Sequence, residues 1–174
     1  MDEIEIIKQN NSNKEIVLEA VKSKGVALEW ASESLQDDKE VVLEAVKQDG
    51  ASLEFASERL KDDKDILMQS VEKVGWVACY ASDRLKDDKE VILKAIKNDG
   101  QVLYYASQNL RADKDVVLEA VKNKAIILKY ASKNLRNDKD IAIAALTQNK
   151  KSLSYISDDL KKDEDILKIL NLEE

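Results

Sequence analysis

Asp38, Asp63, Asp88, Asp113, Asp138 and Asp163 stand 25 residues apart, and Asn13 holds the same place one period earlier. Self-similarity at a period of roughly 20–50 residues confines a chain to stacked-repeat architectures, because one such piece cannot bury its apolar face alone. The same period carries Leu35, Leu60, Leu85, Leu110, Leu135 and Leu160, and with them Ser32, Ser57, Ser82, Ser107, Ser132 and Ser157. An aromatic precedes each of those serines by two residues: Trp30, Phe55, Tyr80, Tyr105, Tyr130 and Tyr155. The expected fold is an all-α solenoid of two-helix repeats, with six full repeats and a partial seventh. Residues 1–12 are expected to form an N-terminal cap and 13–174 a single repeat domain.

Within a repeat, Val41, Val42, Leu43, Ala45 and Val46 recur at helical spacing and make an apolar arc well over about 100° wide. So wide an arc predicts a first helix buried between the repeat before and the repeat after. Asp37 with Glu40 fits a capping box, as do Ser12 with Glu15 and Asp87 with Glu90. Asp38 is an equally good N-cap, and the sequence leaves the two open. The four glycines, Gly25, Gly50, Gly75 and Gly100, share one slot behind the first helix. A left-handed C-cap would explain them. Ala125 and Lys150 occupy that slot in the next two repeats. They imply a strain on the order of 1 kcal/mol or a turn built differently. A short second helix is expected from Ser52 to about Leu60, with Leu53, Ala56, Ser57 and Leu60 on one face. Its length makes it dependent on stacking.

At the ends, Ile4, Ile6 and Ile7 are expected to cover the first repeat. Asp163 to Leu172 is expected to begin a seventh first helix, with Lys168 replacing the usual apolar residue as at a terminal cap. Glu173 and Glu174 are expected to fray.

The string from Tyr80 to Ile96 carries a recurring pattern. Its elements are Tyr80-Ala81-Ser82, Leu85-Lys86, Asp88-Lys89-Glu90-Val91-Ile92-Leu93 and Ala95-Ile96, with matching positions in neighbouring repeats. This pattern resembles a tandem helical repeat family catalogued as domain of unknown function 4116, over nearly the whole chain from about Asn13 to Leu170. The resemblance implies a helical array. It brings no catalytic residues.

The chain has no histidine, which removes the usual general base, the usual metal ligand and every Ser-His or Cys-His arrangement. No catalytic residue, cofactor or metal is expected. Acidic clusters such as Asp62-Asp63-Asp65 lack the glycine and glutamate of a calcium-binding loop, and they recur at helix starts as caps do. Cys79 is the only cysteine, so no internal disulfide can form. No apolar run approaches the ~18 residues of a membrane helix, and the N-terminus lacks a signal-peptide layout. A cytoplasmic protein is expected.

The net charge of −7 is uneven. Residues 1–50 hold 6 basic and 12 acidic side chains, whereas residues 101–150 hold 9 and 5. That distribution argues against a general nucleic-acid binder. The copies differ most on the outward face of the second helix. Its rows begin with Glu29, Glu54 and Glu58, pass through Trp76, Cys79 and Tyr104, and continue to Lys129 and Lys133. Large aromatics on such a face are typical interface hot spots; the alternative is that Trp76 folds down over a gap between repeats. These eight residues are the candidate partner-binding set of a non-enzymatic protein-interaction scaffold. The rival reading is a small acidic inhibitor that occludes an enzyme, for example one that processes nucleic acid, with the Glu rows imitating phosphate.

Overall fold

The computed structural model describes residues 3–171, the side chains from residue 5 onward. Expectations for the Ile4 side chain, Leu172, Glu173 and Glu174 fall outside the described residues. Among those described there is no strand, and the repeat is all-α. Backbone contacts divide the chain into two compact units, within Met1–Leu85 and Lys86–Glu174. In each unit successive repeats pack on one another in chain order, first helix on first helix and second segment on second segment, as in a solenoid.

In the N-terminal unit the first helices are Lys14–Ser23, Lys39–Gln48 and Lys64–Lys73. In the C-terminal unit they are Lys89–Asn98, Lys114–Asn123, Lys139–Gln148 and the partial seventh, Glu164–Asn171. The wide apolar arc is buried as its width requires: Val41, Val42, Ala45 and Val46 are closed to solvent, and so are Val91, Ile92, Ala95 and Ile96. A preceding helix, Glu3–Gln9, buries Ile7 against the first repeat. At the other end Lys168 and Leu167 are exposed while Ile166 is buried, so the last helix has one wet face.

The competition for the N-cap is decided in favour of the 25-residue aspartate. Asp38 Oδ1 accepts from the backbone N–H of Glu40 at 3.0 Å and of Val41 at 3.2 Å, and Asn13, Asp63, Asp88, Asp113 and Asp138 do the same in their helices. The other carboxyl oxygen reaches back one repeat. Lys14 Nζ bridges Asp38 at 2.8 Å and Glu40 at 2.9 Å. Lys89 bridges Asp113 and Asp115, Lys114 bridges Asp138 and Asp140, and Lys139 bridges Asp163 and Asp165. Asp37, the rejected cap, links repeats instead: it accepts from the Ser57 hydroxyl and from Arg59 Nε at 3.0 Å. Asp62 does so for Ser82 and Arg84. At Ser57, Ser82, Ser107 and Ser157 the fixed serine therefore donates to the repeat before it.

Two expectations are corrected. The second helix is not continuous. A 3-10 helix, Gly50–Phe55, ends at the extended Ala56, and a single α turn, Glu58–Lys61, follows. Ser57 starts that turn by accepting from the Leu60 N–H at 3.3 Å. Leu53, Ala56 and Leu60 are buried as expected, because the break lets each point into the stack.

The glycines are not left-handed caps, since no described residue has a positive φ. An extended residue such as Asp49 (φ −142°) ends the first helix, and glycine opens the 3-10 helix. What requires glycine is proximity. A Cβ on Gly25 would stand 2.5 Å from the Ala45 carbonyl oxygen of the next repeat, and one on Gly100 would stand 2.8 Å from that of Ala120.

An amide from the next repeat closes this junction. Asn123 Oδ1 accepts from the Gly100 N–H at 2.8 Å while its Nδ2 donates to the Lys97 carbonyl at 3.3 Å. Gln148 repeats the clamp on Ala125 and Lys122, so a buried alanine occupies the slot with the same hydrogen bonding. Ala125→Gly is therefore expected to lower stability by about 0.5–1 kcal/mol, through lost burial and a freer unfolded chain. A denaturant titration measures this, and a gain in stability would restore the left-handed cap.

The aspartate ladder sets the pH range of stability. Burial pushes the Asp38 carboxyl up, but Lys14 and the Val41 and Glu40 N–H groups outweigh it, so the carboxyl is held below its ordinary value of 3.8. The same balance holds at Asp63, Asp113 and Asp138. Asp138 and Asp140 push Lys114 up to about 12. A lowered carboxyl contributes above its ordinary value, and that contribution fades as pH falls from there through the folded value. A raised lysine contributes below its ordinary 10.5, and that contribution fades as pH rises through about 12. Melting temperature followed by circular dichroism across pH is expected to show a plateau that falls at both edges. Asp38→Asn, which keeps a capping oxygen, is expected to shrink the acid fall; an unchanged acid edge would show that the charge of Asp38 is idle.

Candidate interaction surface

The break in the second segment aims one row of side chains per repeat away from the core. In the N-terminal unit Glu29, Glu54 and Glu58 are all exposed, and Glu58 pairs with Lys61 at 2.9 Å. Trp76 is 41% exposed, with its ring edge-on to Tyr80 at a centroid distance of 5.8 Å. It does not fold down into a gap. Cys79 is half-buried.

In the C-terminal unit Tyr104 is 53% exposed, the most open of the large apolar side chains among the described residues. Its ring lies 4.8 Å from that of Tyr130 and 5.0 Å from that of Tyr105. Lys129 Nζ sits 4.7 Å over the Tyr130 ring. Here the 3-10 helix stops one residue early, at Tyr104, and Tyr105 takes a helical turn conformation instead of belonging to the helix. Tyr105 is 37% exposed, whereas Trp30, Phe55, Tyr80, Tyr130 and Tyr155 stay half-buried in the aromatic slot. Structure thus gathers Tyr104, Tyr105, Lys129 and Tyr130 into one aromatic and cationic cluster. Trp76 and Tyr104 belong to different units, each among its own neighbours.

The aromatic slot itself is a packing ladder with cationic lids. Lys61 Nζ lies 5.6 Å over the Tyr80 ring and Lys8 Nζ 5.9 Å over that of Trp30.

Two residues that pattern reading passed over line small cavities on this face. Arg111 sits with Gln108, Tyr130, Ala131 and Ser132; one repeat on, Arg136 sits with Lys133, Tyr155, Ile156 and Ser157. Lys133 of the candidate set belongs to the second. The sequence did hold a signal for them: these are the only arginines in a slot otherwise filled by Gln36, Lys61, Lys86 and Lys161.

The acidic clusters are taken up by caps and inter-repeat bridges, and no group of three or more metal-ligating side chains converges among the described residues. No helix among them is long and apolar enough to cross a membrane.

Three consecutive stretches, residues 13–61, 63–111 and 113–161, match the family model described as Domain of unknown function (DUF4116). The chain belongs to this family. Each match spans two of the 25-residue repeats, so the family unit is a repeat pair. No curated protein and no solved structure matches the chain.

Because the carboxylates serve the frame, chelation is expected to leave the melting temperature unchanged. A fall of several degrees when EDTA is added to protein purified with divalent metal would mean that a cluster of these family repeats holds an ion.

Proposed function

We propose that the chain is a non-enzymatic protein-interaction scaffold that holds a partner protein along the variable face of its second segments. The observation that carries this reading is the exposure of Trp76 and Tyr104. Other repeats carry small, aliphatic, polar or charged side chains at those slots, and a solvated frame gains nothing from a large ring there. Exposed Trp and Tyr supply contact area at low entropy cost and dominate interface energetics. The absence of histidine and the use of the carboxylates as caps leave little for general acid–base work. The lone thiol suits a reducing compartment, and we place the protein in the cytoplasm.

A second reading, an acidic inhibitor of a nucleic-acid enzyme, draws on the exposed Glu29, Glu54 and Glu58. It uses only the N-terminal unit and gives no part to Tyr104 or Lys129.

The test is affinity capture from source cells with wild-type, Trp76→Ala, Tyr104→Ala and doubly substituted baits, followed by titration of the captured partner. The double variant is expected to lose more than about 2 kcal/mol, roughly thirtyfold in Kd, with its melting temperature unchanged. Unchanged affinity would remove this face from the interface. A single stoichiometric enzyme whose capture depends on Glu54 and Glu58 alone would favour the inhibitor.

A further inference from the structure

We infer that Arg111 and Arg136 head two carboxylate pockets, one repeat apart, that take acidic side chains from an extended segment of the partner. The inference rests on the scaffold reading and names what one part of that face would recognise.

The slot of these arginines is filled differently elsewhere. Lys61 pairs with Glu58 at 2.9 Å, three residues earlier, and Lys161 pairs with Asp158 at 2.8 Å. In that pairing Lys161 holds the Asp158 carboxyl below its ordinary range. At the two arginines the acid is gone: Gln108 and Lys133 stand in its place. Neither guanidinium forms an ion pair, and both Nε atoms are buried with no hydrogen-bond partner. No neighbour holds either guanidinium, so its remaining N–H groups are left to an acceptor that arrives from outside.

The first pocket is stripped of acid a second time. Ser57, Ser82 and Ser107 donate to Asp37, Asp62 and Asp87 of the preceding repeat. The corresponding position before Ser132 is Ala112, and the Ser132 hydroxyl only accepts, weakly, from the Leu135 N–H at 3.4 Å. Its proton is left to a ligand beside Arg111. The second pocket keeps Ser157 on Asn137 but adds the Lys133 charge. No acidic residue lines either cavity.

A guanidinium fork with a hydroxyl beside it matches a carboxylate, which accepts two parallel N–H bonds. The spacing agrees with a peptide. Stacked helices lie about 8–10 Å apart. A polyproline-II-like chain has three residues per turn and rises about 3.1 Å per residue, so side chains i and i+3 share a face about 9 Å apart. Glu-x-x-Glu would therefore fill both pockets. A nucleic acid fits less well. Its affinity comes from many phosphates at once, and the two pockets hold only three cations, Arg111, Lys133 and Arg136.

The probes are a fluorescein-labelled twelve-residue peptide carrying Glu-x-x-Glu, its Gln-x-x-Glu counterpart, and a single-stranded oligonucleotide of similar length. Each is titrated against the full chain by fluorescence anisotropy at physiological salt. The two-glutamate peptide is expected to bind at least tenfold tighter than its counterpart. Arg111→Gln and Arg136→Gln are each expected to erase that difference, and Arg111→Lys to restore it only in part because the fork is lost. Lys122→Gln, which removes an exposed cation outside the pockets, is expected to change nothing, and the melting temperatures of all variants should agree with wild type. Equal binding of the two peptides, an equal loss with Lys122→Gln, or an oligonucleotide that binds tighter than either peptide would overturn the pockets. If they fail while Trp76→Ala or Tyr104→Ala still releases the captured partner, the scaffold reading stands without them.

Discussion

The repeat depends on one carboxylate that works in two directions. Asp38 and its equivalents cap their own helix with one oxygen and hold the lysine of the repeat before with the other. A helix of ten residues is marginal in water, and a 3-10 helix of six is worse. Each becomes stable only when its backbone ends are satisfied and its apolar arc is covered; its own aspartate caps the start of the first helix, and the neighbour supplies the cover. The lysine bridges are exposed and individually weak. Their value is register: a lysine that must reach Asp38 and Glu40 together fixes how far one helix can slide along the next. The amide clamps of Asn123 and Gln148 do the same at the opposite end of the helix.

Much of this frame was legible because it repeats. The 25-residue spacing, the arc of Val41, Val42, Ala45 and Val46, and the acidic helix start all map onto physical needs that sequence periodicity reveals. Legibility failed where two physical causes select the same residue. Glycine serves a positive φ and a close backbone approach equally well, and it takes the negative φ of the described glycines and the 2.5 Å proximity at Gly25 to tell them apart. Ala125 was the hint, since a slot that tolerates a β-carbon without rebuilding is not a left-handed one. Ser57 misled in a similar way. Serine within an apolar pattern reads as a small packing residue, yet an invariant serine three residues before a buried leucine is also a helix start. Here it is one, and the second helix breaks in front of it.

The surface was partly legible. Trp76 and Tyr104 stand out because rings are large and their slots elsewhere hold small, aliphatic, polar or charged residues. Their exposure could not be read from spacing, since a ring can cover a gap as easily as leave it. The arginines were harder to see. Arg111 and Arg136 lie in a row of cations, and composition alone makes them one more pair of solvated charges. What sets them apart is an absence, the missing acid three residues earlier. An absence carries weight only once the structure shows what Glu58 and Asp158 do for Lys61 and Lys161.

Net charge misdescribes a protein built this way. Asp38 and Glu40, Asp113 and Asp115, and Asp138 and Asp140 are already matched by lysines one repeat back, and Asp37 and Asp62 are matched by Arg59 and Arg84. A visiting molecule therefore does not meet the full −7 at every point. It meets the side chains that the frame leaves over. In the N-terminal unit these include Glu29 and Glu54 near an exposed indole's own row. In the C-terminal unit they include Lys129 and Lys133, and the two arginines beside the half-buried Tyr130 and Tyr155. Frame and outward rows thus draw on different subsets of the charged residues. Substitution in the outward subset leaves untouched the ladder that holds the repeats together. This division lets a repeat stay uniform in its core while its outward rows diverge from copy to copy.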